Sequence, residues 1–125
     1  MDSIDAYLDL DGFEILGHEV AHRWGAYLRF RDATGANSTA LLGRGESHWS
    51  FFLDSDASDL EGNDIADDGG GRFETVDFAR GYSALDQYAM GLRRPEEVPP
   101  FFYVAEPDNF RPNRQIGRAS CRERV

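Results

Sequence analysis

The chain has 125 residues, a net charge of −10 and one cysteine, so it is at most one small domain without an internal disulfide or a CxxC metal site. The acidic balance argues against nucleic acid and against an anionic membrane surface as partners, because proteins bind both through basic faces. With 41% hydrophobic residues the chain can form a core, and it has no apolar run of the ~20 residues that a membrane span needs.

The first long pattern in the chain predicts an amphipathic helix over residues 13–30. Apolar residues recur there at three- and four-residue steps and form one stripe, made of Phe13, Leu16, Val20, Trp24, Tyr27 and Phe30. Asp11 is placed to cap the start of this helix, and residues 4–10 could supply one short strand before it. Residues 32–39 are rich in turn-forming residues, so a loop follows.

Two β elements are predicted in the middle of the chain. The aromatic content of residues 48–54 favours a short strand. Alternation divides that strand into two faces, one with His48, Ser50, Phe52 and Asp54 and the other with Trp49, Phe51 and Leu53. Further on, the turn signal of residues 67–71 precedes a β-prone run at residues 72–76, which predicts a β-hairpin.

A second, shorter helix is predicted over residues 83–92. Ser83 and Asp86 stand at the spacing of a capping box at its start. Residues 93–112 contain all five prolines and are predicted to form an ordered turn or an extended segment.

The last ten residues, IGRASCRERV, resemble the conceptual translation of a common sequencing-library adapter. They contain the single cysteine, Cys121, and show no apolar periodicity. We therefore interpret residues 116–125 as a non-native tail and residues 1–115 as the native part, cut from a longer protein.

The motif that carries chemistry is His18-Glu19-Val20-Ala21-His22, an H-E-x-x-H sequence inside the predicted first helix. Residues four apart share a helix face, so both imidazoles can bind one ion, and this is the spacing that two ligands of a tetrahedral zinc need. Glu19 lies about 100° around the helix from His18. From there its carboxylate can reach a water on the metal without becoming a ligand.

This arrangement predicts hydrolysis of a peptide bond. Zinc lowers the pKa of its water towards neutrality, and Glu19 can take the proton as general base. The hydroxide then attacks a carbonyl polarised by zinc, and Glu19 can pass the proton to the leaving amine. The alternative is two surface histidines on an amphipathic helix, with Glu19 in an ordinary helical pair.

The segment ILGHEVAHRWG at residues 15–25 resembles the active-site helix of the zincin metallopeptidases. Gly25 stands where metzincins have their turn glycine, but Leu28 replaces their next histidine ligand, and the Asn-Glu pair of thermolysin-like enzymes is absent. Residues 48–104 are more loosely similar to a group of bacterial secreted zincin-like proteins. The resemblance implies a secreted or extracytoplasmic zinc endopeptidase of a class that often carries structural calcium.

A catalytic zinc site needs a third protein ligand beside the two helix histidines. We favour His48, the remaining histidine, which would complete a three-histidine site of His18, His22 and His48. Asp86 is the main rival, because it is expected to be buried and a buried carboxylate needs a partner or a metal; it could instead cap the second helix. The further candidates are Glu46 and Glu61.

The acidic stretch at residues 54–68 begins like an EF-hand loop. Asp59 stands where the loop needs glycine and Ile65 where it needs glutamate, so the EF-hand interpretation fails. A different structural calcium site and a solvated acidic loop remain as alternatives for this stretch.

We therefore expect an α+β protein, a partial zincin-like catalytic core with the H-E-x-x-H helix, a β-hairpin and a second short helix. The expected function is that of a zinc-dependent endopeptidase acting on polypeptides. The alternatives are a degenerate zincin domain that binds metal or a partner without catalysis, and an acidic structural domain in which the motif is coincidental. Zincins lay substrate along a sheet that precedes the metal helix. Because only 17 residues precede His18, we expect little activity from residues 1–115 alone.

Overall fold

The computed structural model describes residues 12–78, 81–107 and 115–124. This part of the chain contains two α-helices and six β-strands: α1 (Gly12–Ala21), β1 (Phe30–Arg31), β2 (Asn37–Ser38), β3 (Asn63–Gly69), β4 (Arg72–Phe78), α2 (Ala84–Ala89), β5 (Phe102–Pro107) and β6 (Gln115–Arg124). Two short 3-10 turns lie at Arg44–Glu46 and Pro95–Glu97. The expected α+β class is confirmed. Neither helix here is long and apolar enough to cross a membrane.

The strands form two antiparallel sheets. β1 and β2 make a small hairpin whose turn lies in the predicted loop at residues 32–39, and the larger sheet has the order β3-β4-β6-β5. β3 and β4 pair as neighbours along the chain, which confirms the predicted hairpin. Gly69, Gly70 and Gly71 have φ values of 81°, 62° and 79° in its turn, a conformation that glycine adopts without steric cost.

β6 covers most of the segment that we interpret as a non-native tail. It pairs with β4 on one side and with β5 on the other. The hydrogen bonds of a β-ladder join backbone N–H and C=O groups, and every residue except proline has both. Strand formation therefore does not depend on where the segment comes from, and its foreign origin stays a prediction.

The first helix is shorter than predicted, because α1 ends at Ala21 and not at residue 30. The amides of Trp24 and Gly25 both donate to the carbonyl of Ala21 at 3.0 Å, and these bonds close the turn that ends the helix. The amide of Ala26 then donates to the carbonyl of Ser47 at 3.2 Å. This long-range bond fixes the chain in a path that leaves the helix axis. The predicted cap Asp11 and the strand at residues 4–10 lie outside the described residues.

The apolar stripe of α1 faces outward, so Phe13 is 84% exposed. The opposite side of the helix packs on the protein, where Ala21 is fully buried and the hydroxyl of Tyr82 donates to the carbonyl of Gly17 at 2.7 Å. A Cβ on Gly17 would lie 3.3 Å from Oδ2 of Asp59, a tight contact that a larger residue could make only if the Asp59 side chain shifted by a few tenths of an ångström. The packing at Gly17 and Ala21 therefore places the side of α1 that carries His18 against the rest of the protein.

Residues 48–54 do not form the predicted strand. They make single bridges, Leu42 with Trp49 and Leu53 with Tyr103, and the amide of Leu53 donates to the carbonyl of Ser50 at 3.0 Å. This turn breaks the alternation of faces. Trp49 and Leu53 are buried, but Phe51, predicted on their face, is 54% exposed.

The main core lies beneath α1 and α2. Its buried members are Ala21, Ala26, Leu41, Trp49, Leu53, Leu60 and Leu85, and a smaller cluster of Ile65, Phe73 and Val104 covers the larger sheet. The capping box of Ser83 and Asp86 at the start of α2 is confirmed. The helix ends before Gly91, whose φ of 77° lies in the left-handed region, and the predicted turn and extended segment follow as Pro95–Glu97 and β5.

Candidate metal centre

Three histidine side chains converge near the C-terminal end of α1. Nε2 of His18 lies 3.1 Å from Nε2 of His22 and 3.2 Å from Nε2 of His48. The first two histidines project from one helix face, and His48 arrives from a loop 30 positions after His18. Nitrogen atoms of all three rings lie within 4.8 Å of one another, so the cluster could hold a metal ion. These are the three residues that the sequence predicts as ligands.

Backbone carbonyl groups orient two of the rings. Nδ1 of His18 lies 2.5 Å from the carbonyl oxygen of Asp59, and Nδ1 of His48 lies 2.8 Å from that of Arg44. A carbonyl oxygen only accepts, so Nδ1 of each ring carries the proton and donates it. In the neutral rings, Nε2 then presents a lone pair to the centre of the cluster.

Two acceptor nitrogens that lie 3.2 Å apart repel each other unless a proton or a cation lies between them. A tetrahedral ion with metal–nitrogen bonds of about 2.0–2.1 Å separates its ligand nitrogens by about 3.3 Å. The separations between Nε2 of His18 and its two neighbours are close to this value. Metal-binding histidines also usually donate their second nitrogen to a carbonyl or carboxylate, as His18 and His48 do. The cluster therefore fits a divalent ion that prefers nitrogen ligands.

The environment of His48 favours its neutral form. The ring is buried, and burial holds its pKa below the usual value, while the carbonyl of Arg44 and the carboxylate of Glu61 act in the opposite direction. Only an unprotonated nitrogen can bind a metal. A lowered pKa of His48 thus keeps this ring in the form that a metal needs.

Glu19 follows His18 on α1 and is exposed to solvent. It does not belong to the group whose ligand atoms converge. Exposure fits a general base and an ordinary surface glutamate alike, so the role of Glu19 as a general base stays a prediction.

Asp86, the main rival to His48, has other partners. Its Oδ1 accepts from Nε1 of Trp49 at 2.7 Å. Its Oδ2 accepts from the hydroxyl of Ser58 and from the amide of Ser83, both at 2.7 Å. Asp86 is 1% exposed, as the sequence indicated, but three donors compensate for the burial of its carboxylate. Asp86 therefore caps α2 and does not join the histidine cluster.

The two glutamate candidates differ in their contacts with the histidine cluster. Glu46 is exposed and pairs with Arg29 at 3.1 Å. Glu61 pairs with Arg44, and its Oε1 lies 3.7 Å from Nε2 of His48. Of the two glutamates, Glu61 is therefore the one that lies beside the histidine cluster and remains an alternative metal ligand.

Arg44 is the residue at the centre that the sequence did not indicate. Its Nη2 lies 3.1 Å from Nε2 of His48 and also contacts the carboxylate of Glu61. Arginine has no place in the motifs that suggest a zinc site. Its position follows from the 3-10 turn at Arg44–Glu46, which no sequence pattern predicted.

The acidic stretch is not one loop, since residues from Asn63 onward belong to β3. The carboxylates of Asp54, Asp56 and Asp64 lie within 4.8 Å of one another. Asp54 already accepts a hydrogen bond from the amide of Ile65 at 3.0 Å, and burial with the charge of Asp56 raises the pKa of Asp64. Calcium binding here stays a prediction, which chelation followed by thermal melting would test.

Comparison of the chain with protein-family models, curated proteins and solved structures gave no significant match. The zincin resemblance of residues 15–25 therefore stays a prediction from the sequence. The three-histidine cluster is the structural observation from which a function can be argued.

Proposed function

We propose that the protein is a zinc-dependent endopeptidase in which His18, His22 and His48 hold the metal and Glu19 is the general base. The observation that carries the proposal is the convergence of the three Nε2 atoms, with two rings fixed through Nδ1 by backbone carbonyls. Rings held in this way keep their orientation when an ion binds.

The donor set favours zinc over harder cations. Imidazole suits zinc, copper, iron and nickel, while calcium and magnesium prefer oxygen ligands. Three protein ligands leave the fourth position of a tetrahedral ion open, which is characteristic of catalytic and not of structural zinc. Bound there, zinc would supply a Lewis acid and lower the pKa of a water molecule.

The residues of the chain supply positioning and proton transfer. The carbonyls of Asp59 and Arg44 keep the rings of His18 and His48 in one orientation. The carboxylate of Glu19 takes a proton from the attacking water and passes it to the nitrogen of the leaving amine. This side chain is exposed, so it can approach a substrate from solvent.

The exposure of the site suits a polymeric substrate. His18 and His22 are only partly buried, and Glu19 beside them faces solvent. An extended polypeptide can reach such a centre without a deep cavity, whereas small-molecule sites usually bury most of their ligand.

Metal analysis combined with an activity assay tests the proposal. We expect one zinc per chain and hydrolysis of unfolded casein by the full-length protein, with hydrolysis lost in Glu19→Ala while zinc is retained. Hydrolysis at the wild-type rate in Glu19→Ala would contradict the mechanism. One bound zinc without turnover would support the alternative, a metal-binding module without catalysis.

A further inference from the structure

Arg44 lies against the nitrogen atom that a metal ion would take. Its Nη2 is 3.1 Å from Nε2 of His48, and Nδ1 of the same ring is committed to the carbonyl of Arg44 itself at 2.8 Å. Nε2 is therefore an acceptor, and the guanidinium donates a hydrogen bond to it. One lone pair cannot serve a guanidinium and a metal ion at the same time.

We propose that Arg44 and the metal compete for Nε2 of His48, so that the Arg44–Glu61 ion pair sets the metal affinity of the three-histidine site. The inference rests on the metal site of the proposed function, but it does not require that the site be catalytic. It makes the pair a regulator of metal loading.

The two members of the pair act on a cation in opposite directions. The guanidinium is charged at every relevant pH, so it repels a divalent ion next to His48. Glu61 attracts the ion, because its Oε1 lies 3.7 Å from Nε2 of His48. Because the two charges act in opposite directions, removal of either one alone should shift the affinity for the ion.

Arg44 can leave the site without disturbing the fold. Its side chain is 68% exposed, whereas that of Glu61 is 23% exposed. The guanidinium can therefore turn towards solvent and remain near Glu61. Truncation of the side chain also leaves the carbonyl that accepts from Nδ1 of His48, so the ring keeps its orientation in a variant.

The chain offers a matched control. Arg29 and Glu46 form a second exposed ion pair, with Nη2 and Oε2 3.1 Å apart. Arg29→Ala changes the net charge by the same amount as Arg44→Ala, but Arg29 is not among the residues in contact with the histidine rings. Arg29→Ala therefore separates the effect of the Arg44 contact with His48 from the effect of the change in net charge.

The test is a competition titration against a chromophoric chelator, with Zn²⁺ and separately with Co²⁺, whose visible absorption reports the ligand geometry. We expect Arg44→Ala and Arg44→Gln to bind about tenfold more tightly than wild type, and Glu61→Gln about tenfold more weakly. The double variant Arg44→Ala with Glu61→Gln should return towards wild type, and Arg29→Ala should not differ from it.

Equal or weaker binding in both Arg44 variants would overturn the proposal. If wild type binds zinc but cleaves nothing, the peptidase proposal fails and the competition still stands on the affinities. If neither wild type nor the Arg44 variants bind metal, the competition and the metal site fail together. Circular dichroism of each variant confirms that the affinities refer to folded protein.

Discussion

Nε1 of Trp49 donates a hydrogen bond of 2.7 Å to Oδ1 of Asp86, while the preceding residue, His48, directs Nε2 towards His18. Two adjacent residues thus connect to two different polar centres. One is the histidine cluster, and the other is the buried carboxylate that caps α2. The contact between Trp49 and Asp86 also fixes the backbone that presents His48, so the core helps to position the candidate metal centre.

Substitution of Asp86 tests whether the buried carboxylate and the histidine cluster are independent of each other. Asp86→Ala leaves three buried donors without an acceptor, those of Trp49, Ser58 and Ser83. We expect a loss of about 3 kcal/mol in the free energy of unfolding, measured by urea denaturation. The folded protein should still bind one zinc per chain. Loss of zinc from a folded Asp86→Ala variant would contradict this separation and would show that zinc binding depends on Asp86, as a ligand or through the placement of His48.

The general base is tested by an isosteric substitution that removes the charge of the carboxylate. Glu19→Gln removes the proton acceptor without a change in size, and Glu19 is not one of the converging ligands. In the full-length protein we expect kcat to fall by about 100-fold or more with zinc affinity unchanged. Glu14→Gln, on the same helix, serves as the control and should keep full activity. A similar loss in both variants would point to a helix effect and not to proton transfer.

The features that the sequence predicted well are local. The i,i+4 spacing brings His22, the residue after the end of α1, to the same side as His18, and the amide of His22 donates to the carbonyl of His18 at 3.3 Å. The capping box at Ser83 and the glycine-rich turn of the β3–β4 hairpin likewise depend on neighbours in the chain. Each needs only backbone geometry and short side-chain bonds.

The features that it missed depend on distant contacts. Apolar spacing continued the first helix to residue 30, but the bond from Ala26 to Ser47 redirects the chain after Ala21. The choice between His48 and Asp86 rests on packing across more than 30 positions, since the Trp49–Asp86 bond spans 37. Arg44 joins the centre through a turn that has no sequence signature.

The stability of the protein should depend on pH through Asp64 in the acidic stretch. Burial and the charges of Asp56 and Asp77 raise the pKa of Asp64 above its usual 3.8. The folded state then holds the proton more tightly than the unfolded state does. Stability from this group is gained as pH falls through the raised pKa and is lost again as pH rises through it.

Asp64→Asn should therefore raise the melting temperature at neutral pH, and its advantage over wild type should shrink as the pH is lowered towards 3.8. Thermal unfolding followed by circular dichroism at several pH values measures this. Asp68→Asn, an exposed position on the same strand, is the control and should change little. An advantage of Asp64→Asn that is independent of pH would contradict the electrostatic explanation.

The most direct test of the three-histidine centre is X-ray absorption spectroscopy of the zinc-loaded chain and its His48→Ala variant. The sequence has only three histidines, so a further histidine cannot replace a lost ligand. We predict three imidazole nitrogens at about 2.0–2.1 Å from zinc in wild type and two in His48→Ala. Two imidazole ligands in wild type, or the same spectrum in both proteins, would contradict the account.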